Sequence, residues 1–380
     1  MNGQLAISNA RLVLRDEVVE GSVLIDDGHI VAIDSGGGRL ASAEDCDGDL
    51  LLPGLIEMHT DHLERHMMPR PGVLWPAPVA AVLAHDAQIA AAGITTVYDA
   101  ISVGEYHDKS GRRQLLDDAI AAVGAASDAG LCRADHRLHL RCEVSDPDMQ
   151  DMLSNWTGNP RLGLISVMDH TPGQRQWSNL TKMLQYHRSE SWSDEKLAAY
   201  VAERQDLQAR HALPNRRAAL DLARTRCVPV ASHDDTTTGH VDDAVADGIT
   251  ISEFPTTREA ARHARASGMA VIAGAPNVVR GGSHSGNIAA GELADEGLLD
   301  GLSSDYVPAS LLHAALLLGG REAIGLPAAI AMVSDNVARM VGLAERGRIA
   351  PGLRADLVRV RVVDGIPVVR AVWREGRRVV

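Results

Sequence analysis

The chain has 380 residues, 45% of them hydrophobic, which is enough to bury a large core and to form one barrel-sized domain with a smaller one attached. Its 50 Asp and Glu residues outnumber its 37 Lys and Arg residues, and the formal net charge is -13. An acidic chain without a stripe of basic side chains is unsuited to nonspecific nucleic-acid binding, so an anionic substrate must be held by local positive groups.

The N-terminal segment MNGQLAISNA lacks the charged and apolar regions of a secretory signal. No stretch approaches the roughly 20 apolar residues that span a bilayer. Four scattered cysteines form no CxxC pair, which favours a reducing compartment. We therefore expect a cytoplasmic protein without membrane contacts, and a homodimer is the default expectation for its assembly.

Both ends of the chain show the two-residue alternation of β-strands. The first segment is broken by Asp-Gly and Gly-Gly turn signals, and the last contains the hairpin signal Asp364-Gly365. We predict that residues 1–52 and 345–380 together form one small β-sandwich, into which a barrel of residues 53–344 is inserted.

Within the insert, short apolar runs alternate with alanine-rich helical stretches, a pattern typical of parallel strands joined by crossover helices. Eight runs have the length and composition of strands, so we predict an α/β fold, a (β/α)8 TIM-like barrel. A long charged helical segment at 176–225 is expected to form a wall or lid of the site. The predicted strands are 51–59, 94–100, 137–144, 161–168, 228–233, 248–254, 269–275 and 298–305.

Side chains that bind metal ions occur at the ends of these predicted strands. His59 and Asp61 are two residues apart, so a strand directs both into the barrel mouth. A single His-x-Asp pair is more often an ordinary polar pair, but further candidates end four other strands. Six imidazole and carboxylate ligands suit two divalent ions, with Zn, Mn and Fe all compatible. The other four candidates are Glu143, His170, His233 and Asp305.

Several of these residues have alternative roles. Glu143 is placed to pair with Arg141 or Arg137, and His170 to orient the neighbouring Asp169. His139 competes with Glu143 as a ligand, because both lie on the same face of one predicted strand. Further histidines and acids are expected to be outer hydrogen-bonding or helical residues, namely His62, His66, His85, Asp234 and Asp235.

A glycine-rich cluster, VRGGSHSGN at 279–287, follows the seventh predicted strand. Many barrels bind phosphate at this position, and glycines let backbone N–H groups approach the phosphate oxygens closely. Arginine, serine and asparagine side chains can grip the same oxygens. The candidates for substrate binding are Arg280, Ser283, His284 and Asn287 from this cluster, with Arg175 and Arg70 as additional positive groups.

Unusual segments extend across nearly the whole chain, among them PGLIEMHTDHLERHMMPRPGVLWP, HRLHLRCE, SVMDHTPGQRQ, ASHDD, EFPTT, GAPNVVRGGSHSGN and LSSDYVPASLL. In this order they resemble the family of α-D-ribose 1-methylphosphonate 5-triphosphate diphosphatases of the carbon–phosphorus lyase pathway, within the amidohydrolase superfamily. The resemblance implies an amidohydrolase-type barrel whose two metal ions are held by the six strand-end candidates. In this family the residue after the His-x-Asp pair is usually Asn, and here it is His62.

The resemblance also implies a reaction, the hydrolysis of the substrate's triphosphate to the 5-phosphate and pyrophosphate. Water activated by the metals would attack the α-phosphorus, with Asp305 as general base. One alternative is an amidohydrolase that cleaves a cyclic amide or deaminates a base, and the glycine-rich cluster argues against it. Another is an inactive barrel that serves as a binding protein, against which the full set of six candidate ligands argues.

Overall fold

The computed structural model describes residues 4–36, 42–105, 112–177, 193–283 and 285–380. Strands in these residues form two eight-stranded sheets, one from the two ends of the chain and one from its middle. In chain order the strands are β1 (Leu5–Val13), β2 (Val18–Asp26), β3 (His29–Asp34), β4 (Glu44–Asp45), β5 (Leu50–Pro53), β6 (Leu55–Thr60), β7 (Ile94–Val103), β8 (Asp135–Glu143), β9 (Leu162–Met168), β10 (Val230–His233), β11 (Ile251–Glu253), β12 (Ala270–Gly274), β13 (Gly301–Ser303), β14 (Leu357–Val363), β15 (Ile366–Arg374) and β16 (Arg377–Arg378).

The helices of the described residues lie mostly between the strands of the middle sheet. A short 3-10 helix at Arg175–Trp177 follows β9. The α-helices are α1 (His62–Met67), α2 (Pro78–Ala91), α3 (Arg112–Asp128), α4 (Met149–Ser154), α5 (Asp194–Arg226), α6 (Thr238–Ala246), α7 (Arg258–Ala266), α8 (Ala275–Arg280), α9 (Ala290–Asp295), α10 (Ser310–Gly319), α11 (Leu326–Ala331) and α12 (Asp335–Met340). None of the helices in these ranges is long and apolar enough to cross a membrane.

The terminal sheet has the order β16-β15-β14-β5-β1-β2-β3, with β4 beside β1. The turn between β2 and β3 contacts the segment before β14, where the N–H of Ala355 donates to the carbonyl of Gly28 at 2.8 Å. The hydrophobic core of this domain includes the fully buried Ile7, Val23 and Trp373. The expectation of a small β-domain built from both chain ends is confirmed, while the boundaries assigned to it stay a prediction.

The middle sheet is the predicted barrel, with the parallel strands β6 to β13 in sequence order. The two end strands approach each other through a bridge between Thr60 and Asp305. All eight predicted strands are present within a few residues. The first was drawn too long, because the chain changes sheets at Gly54: β5 belongs to the terminal sheet and β6 to the barrel.

Local sequence explains these elements. In β7 every residue of ITTVYDAISV is buried, and the β-branched side chains fill both faces of a parallel strand. The helices α6 and α7 each begin after a threonine, Thr237 and Thr257, whose hydroxyl accepts a hydrogen bond from a backbone N–H of the first turn. Strands and helices therefore alternate regularly, and this brings the carboxyl ends of all the strands to one face.

The long charged segment predicted at 176–225 is observed as α5 over 194–226, and residues 178–192 lie outside the described ranges. This helix packs beside the loops that follow β8 and β9. Asn215 donates to the carbonyls of Val144 at 2.9 Å and Asp146 at 2.7 Å, and Gln208 donates to Asp169 at 2.7 Å. The helix thus supports the loops on the same face as the strand ends.

Gly54 is required where β5 passes into β6. A Cβ added to this residue would lie 2.2 Å from Oγ1 of Thr95 and 2.9 Å from Cβ of Asp356. We predict that Gly54→Ala lowers the free energy of unfolding by about 1–3 kcal/mol, as expected for overpacking. Gly124→Ala is the matched control, because Gly124 lies in α3 with nothing within 4 Å of an added Cβ, and alanine favours helix. Equal thermal midpoints for the two variants would contradict this prediction.

Candidate metal centre and active site

The carboxyl ends of the barrel strands surround a cavity of about 270 Å³. This is the face on which barrel enzymes carry their active sites. Five of the six predicted metal ligands line the cavity, together with two of the predicted substrate-binding residues. These are His59, Asp61, His170, His233 and Asp305, with Ser283 and Asn287.

One buried carboxylate, Glu253 at the end of β11, holds two of the histidines. Its Oε1 accepts a hydrogen bond from Nδ1 of His59 at 2.7 Å, and its Oε2 accepts one from Nδ1 of His233 at 2.8 Å. The two rings are stacked with their centroids 5.7 Å apart. A histidine whose Nδ1 donates to a carboxylate uses Nε2 as its metal-binding atom, so Glu253 fixes both the orientation and the tautomer of these rings.

Glu143 plays a similar part for His170. Its Oε2 accepts from Nδ1 of His170 at 2.7 Å, and its Oε1 accepts from the His170 N–H at 3.1 Å and from the Ser145 hydroxyl at 2.7 Å. Glu143 does not line the cavity. The structure therefore places this predicted ligand behind His170, where it orients the ring.

Asp234 lies directly beside two candidate metal ligands, although the sequence suggested an outer hydrogen-bonding role for it. Its Oδ2 lies 3.5 Å from Nε2 of His233 and 3.8 Å from Nε2 of His170, and the three ligand atoms form one of the groups able to hold a metal ion. This oxygen is buried and accepts no hydrogen bond from a described residue. Burial raises the pKa of Asp234 to about 6. Such a group is suited to a cation.

Asp305 follows β13, one of the two end strands of the barrel, and contacts the other end strand, β6. Its N–H donates to the carbonyl of His59 at 3.2 Å, and its carbonyl accepts from the hydroxyl of Thr60 at 2.6 Å. Burial, together with the negative charge of Asp61, raises the pKa of Asp305 to about 8, although Arg141 opposes the shift. Two carboxyl groups thus face the cavity close enough to repel each other.

His139, the competing ligand candidate, has both ring nitrogens engaged. Nδ1 lies 3.0 Å from the carbonyl of Met58, and Nε2 lies 2.9 Å from the hydroxyl of Ser166. Its ring packs edge-on against His59 at 5.0 Å between centroids. We interpret His139 as a buried support for His59 and not as a ligand.

The predicted positive groups are mostly not at the cavity. The Nη1 of Arg175 donates to the carbonyl of His233 and to Asp235, both at 2.7 Å, and so supports the end of β10. Arg280 at the end of α8 and Arg70 are exposed, and neither lines the cavity. His284 lies outside the described residues.

Arg141 on β8 is the positive group that the structure does bring to the cavity. It is only 6% exposed, and its Nε and Nη1 have no hydrogen-bond partner in the described part of the chain. From the sequence, Arg141 is expected only as a partner for Glu143. The two-residue period of a strand could have indicated its position, because it places Arg141 on the same strand face as the predicted ligand Glu143.

Three residues at the strand ends have left-handed backbone conformations. Asp234, Phe254 and Asp305 have φ values of 57°, 56° and 53°. Such conformations in residues other than glycine cluster at functional sites, where the surrounding structure enforces them. Here the turn at Phe254 places its ring against His59 and His233, at centroid distances of 5.0 and 5.5 Å.

Comparison with known proteins agrees with this geometry. Residues 79–380 match the family described as "Amidohydrolase family". The chain belongs to the amidohydrolase family. This amidohydrolase is also 45% identical, over 378 residues, to the alpha-D-ribose 1-methylphosphonate 5-triphosphate diphosphatase of Escherichia coli (strain K12), with 99% of this chain and 100% of that protein covered.

Solved structures with the same fold include several other amidohydrolases. A 5-methylcytosine deaminase from Klebsiella pneumoniae, liganded with phosphonocytosine, has a TM-score of 0.67 at 16% identity and covers 99% of this chain and 98% of its own. An N-acetylglucosamine-6-phosphate deacetylase from Pasteurella multocida has a TM-score of 0.64 at 12% identity, with 99% of each chain covered. At these identities the likeness establishes the amidohydrolase fold alone.

For this amidohydrolase we predict that Glu253→Gln lowers the affinity for divalent metal by about 10–100-fold, because an amide no longer fixes the two histidines in the ligating tautomer. Metal content after dialysis against graded chelator concentrations measures the effect. Glu296→Gln is the control, because Glu296 pairs on the surface with Arg258. Wild-type affinity in Glu253→Gln would show that His59 and His233 do not hold the metal.

Proposed function

We propose that this chain hydrolyses α-D-ribose 1-methylphosphonate 5-triphosphate to the 5-phosphate and pyrophosphate. The observation that carries the proposal is the composition of the cavity, in which candidate metal-binding side chains face a buried arginine whose Nε and Nη1 make no hydrogen bond to a described residue. A polyanionic substrate supplies oxygens that can accept these two hydrogen bonds. The relative from Escherichia coli, whose name describes this activity, supports the choice of substrate.

We further propose that the cavity holds two divalent ions. His59, Asp61 and Asp305 would hold one, and His170, His233 and Asp234 the other. This set departs from the sequence-based set in one respect: Asp234 is a direct ligand in place of Glu143, which is already engaged with His170. Mixed imidazole and carboxylate donors fit Zn, Mn or Fe, and the buried Oδ2 of Asp234 needs a cationic partner. Such ions promote ionisation of water and offset charge on phosphoryl oxygens.

The chain's own residues then have distinct roles. Asp305, on the cavity wall, accepts the proton of the attacking water as general base. Arg141 neutralises charge that develops on the α-phosphoryl oxygens, where a guanidinium in a water-poor site acts most strongly. Ser283 and Asn287 on the opposite wall hold the rest of the phosphate chain through hydrogen bonds.

The alternative activity is hydrolysis of a cyclic amide or deamination of a base. Proteins of similar fold include a dihydropyrimidinase from Brevibacillus agri, with a TM-score of 0.62 at 16% identity. An uncharged ring offers no anionic acceptor to the Nε and Nη1 groups of Arg141, and these buried donors favour the triphosphate over the ring. The expectations of a homodimer and of a cytoplasmic location stay predictions, and light scattering checks the former.

We predict that metal-loaded protein releases pyrophosphate from α-D-ribose 1-methylphosphonate 5-triphosphate and acts poorly on dihydrouracil and hydantoin. Separate assays for pyrophosphate and orthophosphate measure the two possible products. Orthophosphate as the first product would place the attack at the γ-phosphorus. Faster turnover of the cyclic amides would refute the proposed substrate while leaving the family assignment intact.

Arg141→Gln should lower kcat/KM for the triphosphate by about 10²-fold or more, as expected when a charged hydrogen bond to a phosphoryl group is lost. Metal content should stay near the wild-type value, since a guanidinium is not a metal ligand. Arg137→Gln is the matched control: it lies on the same strand face at the far end of the barrel, paired with Asp135 at 3.4 Å. Equal kcat/KM in both variants would remove Arg141 from the phosphate site.

A further inference from the structure

A second histidine cluster lies beside the barrel, on α1 and α2. His62 and His66 are four residues apart on α1, so their side chains project from one face of the helix. His85 on α2 approaches them, with its Nδ1 3.0 Å from Nδ1 of His62. The His66 ring centroid is 4.9 Å from that of His62 and 6.0 Å from that of His85. One nitrogen from each ring lies within 4.8 Å of the others.

We propose that His62, His66 and His85 form an additional metal site, distinct from the catalytic centre and suited to Zn²⁺. Three imidazoles are an established zinc ligand set, with Zn–N distances of about 2.0–2.1 Å and a water molecule as fourth ligand. In a tetrahedron of that size the nitrogens are about 3.3 Å apart. The observed spacing therefore requires only small side-chain rotations.

The surroundings of His85 repeat the arrangement seen at the catalytic histidines. Its Nε2 donates to Oδ1 of Asp99 at 2.8 Å, which leaves Nδ1 directed at His62. Asp99 is itself fixed by Nδ1 of His136 at 2.8 Å, and His136 by Asp86 at 3.2 Å. A buried carboxylate behind a ligating histidine orients the ring and strengthens it as a donor.

His62 and His66 complete the site, and the partial exposure of His66 leaves it accessible to an ion. His85 is 0% exposed and His62 is 7% exposed, whereas His66 is half-buried and makes no hydrogen bond to a described residue. None of the three lines the catalytic cavity. An ion at this position would link α1 to α2 immediately after Asp61. It would thereby stabilise the end of β6, near the cavity residues His59 and Asp61.

The number of bound metal ions tests the proposal directly. Apoprotein titrated with Co²⁺ should bind about one more equivalent per chain than His66→Ala or His66→Gln, and this equivalent should give the intense visible absorption of a tetrahedral site. His29→Ala, which removes an exposed histidine of the terminal sheet, should bind as much as the wild type. Circular dichroism checks that each variant is folded. Unchanged stoichiometry and spectrum in folded His66 variants would overturn the proposal.

A measurement on the wild-type protein avoids any dependence on variants. Zn²⁺ should protect His66 from modification by diethyl pyrocarbonate, read by mass spectrometry, while His29 stays reactive. Equal modification of His66 with and without Zn²⁺ would also refute the site. Neither experiment uses catalytic activity, so its outcome is independent of the proposed substrate.

Discussion

The two hydrogen bonds that Glu253 accepts from His59 and His233 organise the mouth of the barrel. They connect β6 to the distant strands β10 and β11 through a single fully buried carboxylate. Because both oxygens are used, neither ring can rotate without leaving a buried charge partly unsatisfied, which is energetically costly. The orientations of the His59 and His233 rings therefore depend on this residue.

Charge balance is the second constraint on the site. The chain is acidic overall, and its cavity adds buried carboxyl groups whose pKa values rise because water is excluded. Arg141 is the buried positive side chain lining this cavity in the described part of the chain. One guanidinium cannot offset both the carboxylates and a triphosphate, so the proposed function requires that divalent ions share the neutralisation of the substrate with Arg141.

Periodicity predicted most of the fold, because alternation of strands with helices and the pairing of the chain ends follow from residue patterns alone. It also brought His59, Asp61, His170, His233 and Asp305 to one cavity, since strand ends converge in a barrel. Periodicity did not predict where side chains point when they lie in loops or at helix ends. Arg70 lies in the loop after α1 and Arg280 ends the short helix α8, and both are exposed to solvent.

The residues missed by the sequence analysis show the same limit. Glu253 ends a strand as the other candidates do, but its role as an anchor for two histidines depends on contacts 20 and 194 residues away along the chain. Asp234 becomes a candidate ligand because its left-handed backbone turns the side chain towards His233. Tertiary geometry of this kind is absent from local sequence.

The shared position of β5 has a consequence for biosynthesis. This strand pairs with β1 on one side and with β14, near the C-terminus, on the other, and it leads through Gly54 directly into the strand that carries His59. While the chain emerges from the ribosome, β5 lacks its second neighbour until residues 357–363 have been made. The strand that carries His59 is thus among the earliest parts of the chain to be translated, yet the adjoining β5 gains its second neighbour, β14, only near the end of synthesis.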